Sequence, residues 1–303
     1  RPISTATRRS TLGLSASALA ATLWAFGGIF AALTFASGLV SAFYRLWLGA
    51  ALLTIITYAV GQRLSWATLR HTWLGGIFLG ADMMMFYSAV RLTSIVDVTV
   101  IGAFQPALVL VAARKMFDER LGRWDVFWII IAMAGVTIAV LGPSSAARHR
   151  ALGDLLSVGA LVAFSAYWLI SKRARERTQA MEYTAGVTIM AAVVTSIVVL
   201  ASGRAIGHVH ASDWGWFVLL AIVPGSGHLM MNWAHRFVDA SVSSAISCLA
   251  PLVAAVAAIP ILGQSLSTLQ IVGELIGLAA IAIVAARNRQ PVDPPAETTS
   301  SAD

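Results

Sequence analysis

Asp82, Glu274, Arg45, His228, Asn232 and His235 are ionisable or strongly polar side chains set inside, or at the edge of, long apolar runs. His228, Asn232 and His235 fall at i, i+4 and i+7, so on a helix they form one polar stripe. Such a stripe can hydrogen-bond a polar solute, Arg45 can hold a carboxylate or snorkel to the outer surface, and Asp82 or Glu274 can take up and release a proton. Hydrolytic chemistry is poorly served. A metallohydrolase of the common type needs two histidines at i and i+4 with a carboxylate beside them, whereas His228 and His235 stand seven apart with none adjacent. No serine is paired by spacing with a general base, and no phosphate-cradling glycine loop is present. Cys248, the one cysteine, excludes a disulfide framework and a Cys-based metal site. No catalytic residue, metal or cofactor is therefore expected.

The elements that must position these groups are helices in a bilayer. Of 303 residues, 58% are hydrophobic and 12% charged, against roughly 45–50% and 25% in a soluble domain. Apolar runs of the length a bilayer requires occur at approximately Ser15–Thr34, Leu39–Val60, Thr72–Val90, Val98–Ala113, Val126–Leu141, Leu152–Ile170, Tyr183–Ala201, Trp214–Ala234, Ser241–Leu262 and Thr268–Ala286. They are continuous rather than alternating, which favours helices over barrel strands. The expected class is an all-α integral membrane protein with ten transmembrane helices. The tail over 288–303, rich in Pro, Ser, Thr and acid, is expected to be disordered. The opening TRRSTLGLSASALAATLWAFGG also has the layout of a secretory or twin-arginine signal, but the count of spans favours a retained first helix.

A net charge of +7 raises nucleic acid as a partner, and the distribution of the charges answers it. With the N-terminus in the cytoplasm, 16 of the 21 Lys and Arg fall on inner loops, four (Arg91, Arg148, Arg150, Arg204) on outer loops, and Arg45 within a span. This is the positive-inside bias of a multi-pass inner- or plasma-membrane protein with both termini cytoplasmic. The basic clusters set topology, and no nucleic-acid role is expected.

Sliding the chain by 145 residues superimposes Arg91 on Arg236, Gly80 on Gly225, Met85 on Met230 and Pro106 on Pro251. Each half, 1–142 and 151–287, then holds five spans. An odd number sends the second copy into the membrane from the opposite side, giving an inverted repeat with a solute site near the midplane between the halves. The offset maps His228 onto Met83 and Asn232 onto Tyr87, so those faces are expected to line the pathway. Gln105 and Ser244 on the fourth and ninth spans, and Trp24 and Trp168 deep in the first and sixth, complete the expected pathway. Pro106 and Pro251 are candidate hinges. Asp82 is the candidate proton-coupling residue, flanking the Tyr87 face because five residues turn it about 140° away. Glu274 aligns with Ile129 and is expected to be structural.

The stretch FQPALVLVAARKMFDERLGRWDVFWIIIAMAGVTIAVLG, with Pro106, Glu119 and Gly135, resembles the EamA domain of the drug/metabolite transporter superfamily. CLAPLVAAVAAIPILGQSLSTLQIVGELIGLAAIAIVAAR resembles the same domain again, with Gln264 where the pattern expects a second acid. The resemblance implies two five-helix EamA repeats, a small-molecule substrate, a lipid bilayer as surroundings, and export of small metabolites such as amino acids by alternating access. A monomer or homodimer is expected, with proton coupling as one energy source. A multidrug or nucleotide/sugar-type carrier of the superfamily is the alternative, ahead of a channel, a scaffold or an intramembrane enzyme.

Overall fold

Runs of Leu, Ile, Val and Ala without backbone partners outside themselves must form helices in lipid, because each N–H and C=O has to be satisfied within the segment. The computed structural model of the chain describes residues 5–93, 98, 101–119, 122–140, 151–203, 206–207, 209–262 and 267–287. Among them the regular elements are all helical. They run α1 (Thr5–Leu33), α2 (Gly38–Ala59), α3 (Trp66–Leu92), α4 (Gln105–Met116), α5 (Arg123–Val140), α6 (Ala151–Ala174), α7 (Ala180–Ala201), α8 (Asp213–Ala234), α9 (Ala240–Ser247), α10 (Leu249–Leu262) and α11 (Thr268–Arg287). Gln264, the Glu274 side chain and the tail over 288–303 lie outside the described residues.

Among the described residues six helices are long and apolar enough to cross a bilayer: α1 from Ser10 to Leu33, α2, α3, α6, α7 and α8. The expected fourth, fifth, ninth and tenth spans coincide with α4, α5, α9 plus α10, and α11, which are not among those six. The fourth and ninth are interrupted at equivalent places. Residues 103–104 form a turn before α4, and Cys248 separates α9 from α10. Pro106 therefore stands in the first turn of α4 and Pro251 in the first turn of α10. A proline there needs no N–H and pre-sets φ for the helix that follows, so each residue opens the helix that follows the interruption.

Helix pairing respects the two halves. The most extensive contacts are α5 with α11, α3 with α6, α1 with α8, and α3 with α7, followed by α2 with α7. Exchanging halves carries α3–α6 onto α8–α1 and returns α5–α11 and α2–α7 to themselves. Lipid tails are as apolar as leucine, so association rests on close packing at small residues. At the α5–α11 crossing a Cβ on Gly135 would lie 2.5 Å from the Gly277 nitrogen and 2.9 Å from the Gly273 carbonyl oxygen. Gly76 on α3 sits equally close to α7, a Cβ there falling 2.3 Å from Met190 Cβ, and one on Gly80 would be 3.0 Å from the Ala191 carbonyl oxygen.

One pair breaks the symmetry. The counterpart of α3–α7 is α8–α2, and its contacts are sparse. The offset of 145 places Ala221 and Gly225 where α3 has Gly76 and Gly80, and Arg45 and Leu46 where α7 has Met190 and Ala191. A Cβ on Gly225 would meet nothing closer than the Leu220 carbonyl oxygen at 3.9 Å. Pro224 lies inside α8 at this level, where α3 has Leu79. It removes the N–H that would bind the Leu220 carbonyl and crowds the preceding turn.

Two carboxylates tie the halves at helix starts. Glu119 accepts the backbone N–H of Ala240 and Ser241 (2.8 and 3.1 Å) and the Ser241 hydroxyl (2.7 Å), satisfying the first turn of α9. Asp213 at the start of α8 accepts the N–H of Phe35 and Ala36 (2.9 and 3.0 Å) in the α1–α2 turn. Such exposed donors at helix ends need partners, and an anion is favoured there.

Candidate functional site

Between the halves, α1, α6 and α8 bring aromatic side chains together. Trp24 on α1 packs against Phe164, Trp168 and His228 with ring centroids 5.5, 5.9 and 5.1 Å apart. Tyr167 on α6 lies 5.7 Å from the His228 ring. The indole of Trp24 rests where a Cβ of Gly227 would be, 2.7 Å from its Nε1, so glycine at that position is what admits the ring. Trp24 Nε1 is buried without a hydrogen-bond partner.

Polar contacts thread this cluster. The Tyr167 hydroxyl lies 3.4 Å from His228 Nδ1 and accepts from Asn232 Nδ2 at 3.1 Å. Asn232 Nδ2 also donates to Thr184 Oγ1 at 3.0 Å, linking α8 to α7. Arg175 Nε donates to the Asn232 carbonyl oxygen at 2.7 Å. Asn232 is thus held on every side, while His228 has a second face toward open space. That space is a cavity of about 10 Å³, lined by Arg45, Gly49, Leu79, Thr188, Gly225 and His228 among others. It occupies the loose α2–α8 crossing and has about the room one water needs.

Arg45 is 4% exposed, two turns into α2, and its Nε has no hydrogen-bond partner. Among the described residues its guanidinium forms no hydrogen bond or ion pair. It lies within electrostatic reach of Asp82, Tyr87, Tyr167 and His228. The snorkelling expected of a basic residue near a span end is not what Arg45 does: it is enclosed by four helices.

The remaining expected site residues are distributed more widely. Met83 and Tyr87 are buried in an apolar core to which α1, α2, α3, α6, α7 and α8 all contribute. Asp82 is buried on α3 near Tyr167 and Arg45. Trp168 is fully buried and donates from Nε1 to the Ala240 carbonyl oxygen at 3.2 Å. Gln105 accepts from the Ser247 hydroxyl at 2.9 Å across the α4–α9 contact, with its Nε2 buried and unpartnered. Ser244 donates to its own helix at Ser241. Trp24, Trp168 and His228 are therefore together with Asn232 beside them, Met83 and Tyr87 are buried in a core that also holds Tyr167, Gln105 joins α4 to α9, and Ser244 is buried within α9.

Sequence reasoning missed Tyr167, Phe164, Thr184, Thr188 and Gly225. Two signals were available: Tyr167 adjoins Trp168, and Thr184 and Thr188 stand at i and i+4 on one face of an apolar run.

Beyond the C-terminal end of α8 lies a charged cluster. Lys172 Nζ donates to the carbonyl oxygens of His235 and Val238 (2.8 and 2.5 Å). His235 is buried with both ring nitrogens unpartnered. Burial, reinforced by Lys172 and Arg175, holds its imidazole well below the usual histidine range. Burial and the neighbouring Glu119 carboxylate push Asp239 up, with Lys172 opposing. Burial and Arg236 lower Arg175 to about 10, with Tyr183 opposing.

Two copies of one family model, the EamA-like transporter family, match residues 11–141 and 151–286. The chain belongs to the EamA-like transporter family. It is a multi-pass membrane protein of that family, whose members are transporters. Solute carrier family 35 member G1 of Mus musculus is 34% identical over 83 residues, 27% of this chain and 21% of the mouse protein. The match thus spans about a fifth of that relative's length. A solved crystal structure is similar over 93% of this chain and 99% of its own, with a TM-score of 0.73 at 19% identity, which speaks to the fold alone.

Proposed function

We propose that the chain is a secondary transporter that exports small metabolites, amino acids or similar amphipathic solutes, by alternating access. Its two inverted halves are residues 1–142 and 151–287, with ten spans and both termini in the cytoplasm of an inner or plasma membrane. Membership of the EamA-like family and the solute-carrier name of a relative support carriage of a solute. Helix pairing that exchanges with the halves supports the inverted reading.

The observation that carries the site is His228, whose ring joins the Trp24–Phe164–Tyr167 cluster to the cavity holding Arg45. An amphipathic solute lays its apolar body on the aromatic rings and directs its polar head to His228. Trp24, Met83, Tyr87, Trp168, His228 and Asn232 form the central pathway, Gln105 and Ser244 its continuation between α4 and α9. The helix starts at Pro106 and Pro251 supply the hinges.

The test is counterflow in proteoliposomes with the purified chain: preloaded solute should drive transient uptake of labelled solute, with saturation. Unsaturable flux without counterflow would make it a channel, and a new product would make it an enzyme. Single cysteines at Met83, Tyr87, His228 and Asn232 in a Cys248→Ala background are buried in this conformation, so reaction with aqueous thiol reagents that substrate suppresses reports the opening step.

Asp82 is the proton-coupling residue of this reading. An intramembrane carboxylate is costly to keep charged and commonly serves a proton path. Asp82→Asn should retain counterflow and lose transport driven by a pH gradient. An Asp82→Asn protein that concentrates solute at the normal rate would remove Asp82 from the coupling.

A further inference from the structure

The tight α3–α7 crossing and its loose counterpart α8–α2 differ in what the second helix offers. Where α7 presses Met190 against Gly76, α2 carries Arg45 opposite Ala221. The methionine needs nothing more than contact. The Nε of Arg45 is shut away from water without a partner, a standing cost, because burial of a charged group is offset only by pairing and hydrogen bonding. Arg45 is 4% exposed, its Nε is unpartnered, and no carboxylate stands within ion-pair distance among the described residues. The space it lines is bounded by Gly49 and Gly225, two positions where a side chain would fill the gap, and by the Thr188 and His228 side chains.

We propose that Arg45 is the anchor for a single carboxylate on the transported solute, bound at the α2–α8 crossing with His228 and Thr188 as flanking hydrogen-bond partners. This rests on the transporter reading for the identity of the ligand as cargo, and on geometry for the site. The guanidinium offers two parallel N–H donors that match a carboxylate. Arg45 brings one positive charge to the space it lines, with no ion pair to it among the described residues. One negative charge completes it, whereas a phosphate dianion would leave an excess charge in a low-dielectric setting. The cavity is water-sized here, so the carboxylate enters as α8 moves off α2, a motion that the sparse contact and Pro224 leave open. The apolar body then falls on Trp24 and Phe164, beyond His228.

The experiment uses the full chain in nanodiscs and matched probes: the free amino acids, simple monocarboxylates with the same side chains, their primary amides, and phosphate monoesters of the same apolar groups. Binding is read by thermal shift and by competition. Acids should raise the melting temperature of the wild type while their amides do not, and Arg45→Gln should weaken acid binding about tenfold or more, as loss of a charge-assisted pair does. Arg45→Gln should also raise the melting temperature of the empty protein, since an unpaired buried cation has gone; a purely structural arginine would lower it. Gly225→Leu should fill the gap and abolish the acid response with the fold retained. Equal shifts from acids and amides, tighter binding of phosphate monoesters, no response to any acid, or unaltered binding by Arg45→Gln would each overturn the anchor. Acids that bind through Arg45 but show no counterflow would leave the anchor standing and remove the transporter reading instead.

Discussion

At His235 both ring nitrogens are buried without hydrogen bonds, and Lys172 and Arg175 stand nearby. The folded chain keeps this imidazole neutral, held low by burial and then by the two cations. An unfolded chain protonates it at the ordinary value of about 6.5. Above that pH neither state binds the proton and the group is silent; below it the unfolded state gains a proton that the folded state refuses, so stability falls with acid. His235→Phe should flatten this acid limb and, by removing unpaired polar atoms, raise stability at pH 7 by about 1 kcal/mol. Thermal unfolding of both proteins between pH 5 and 8 checks it, and equal acid slopes would assign the loss to another group. His228 and Asn232 illustrate how far spacing reaches at this scale. Their shared face was legible from i and i+4, but that one is tied by Tyr167 and Thr184 while the other borders a cavity depends on α6 and α7, which no local periodicity encodes.

Helix starts, crossings and interruptions belong to the scale of elements. Gly76 and Gly225 occupy related α3–α7 and α8–α2 crossings, and their surroundings are opposite: a Cβ on Gly76 would fall 2.3 Å from Met190 Cβ, while Gly225 faces open space. Gly76→Ala should therefore drive α3 and α7 apart and cost about 1–3 kcal/mol, the usual penalty of overpacking. Gly225→Ala should be neutral or stabilising, by up to about 1 kcal/mol from helix propensity. Unfolding of each variant in the same nanodisc composition compares them; equal losses would mean that the two crossings are packed alike. The prolines show the limit of sequence at this scale. Pro106 and Pro251 were visible as a symmetric pair, and their position in first turns was not, because whether a proline bends a helix or begins one turns on the chain before it.

For the whole molecule, composition alone dictated helices in lipid, and the 145-residue offset made two related halves legible before any helix was placed. The alternation of basic residues predicts that reporter fusions after Gly142 and after Arg289 lie on opposite sides of the membrane, and a common side would end the five-plus-five inverted reading. What the sequence withheld is the inequality between equivalent crossings, which arises only when the halves meet.

The isolated charge of Arg45 between α2 and α8 has a kinetic consequence. If these helices close on an empty site, they enclose a bare cation, and the barrier to reorientation rises; closing on an occupied site encloses a neutral pair. The unloaded carrier should therefore cross slowly and the loaded one quickly, so that one-for-one exchange outpaces net efflux. Measured in the same proteoliposomes, exchange with solute on both sides should exceed efflux into solute-free buffer by about tenfold, for a barrier difference near 1.4 kcal/mol. In Arg45→Gln, where no charge has to be enclosed, the two rates should converge. A wild-type chain that empties as fast as it exchanges would show that the crossing closes equally well on a solitary guanidinium.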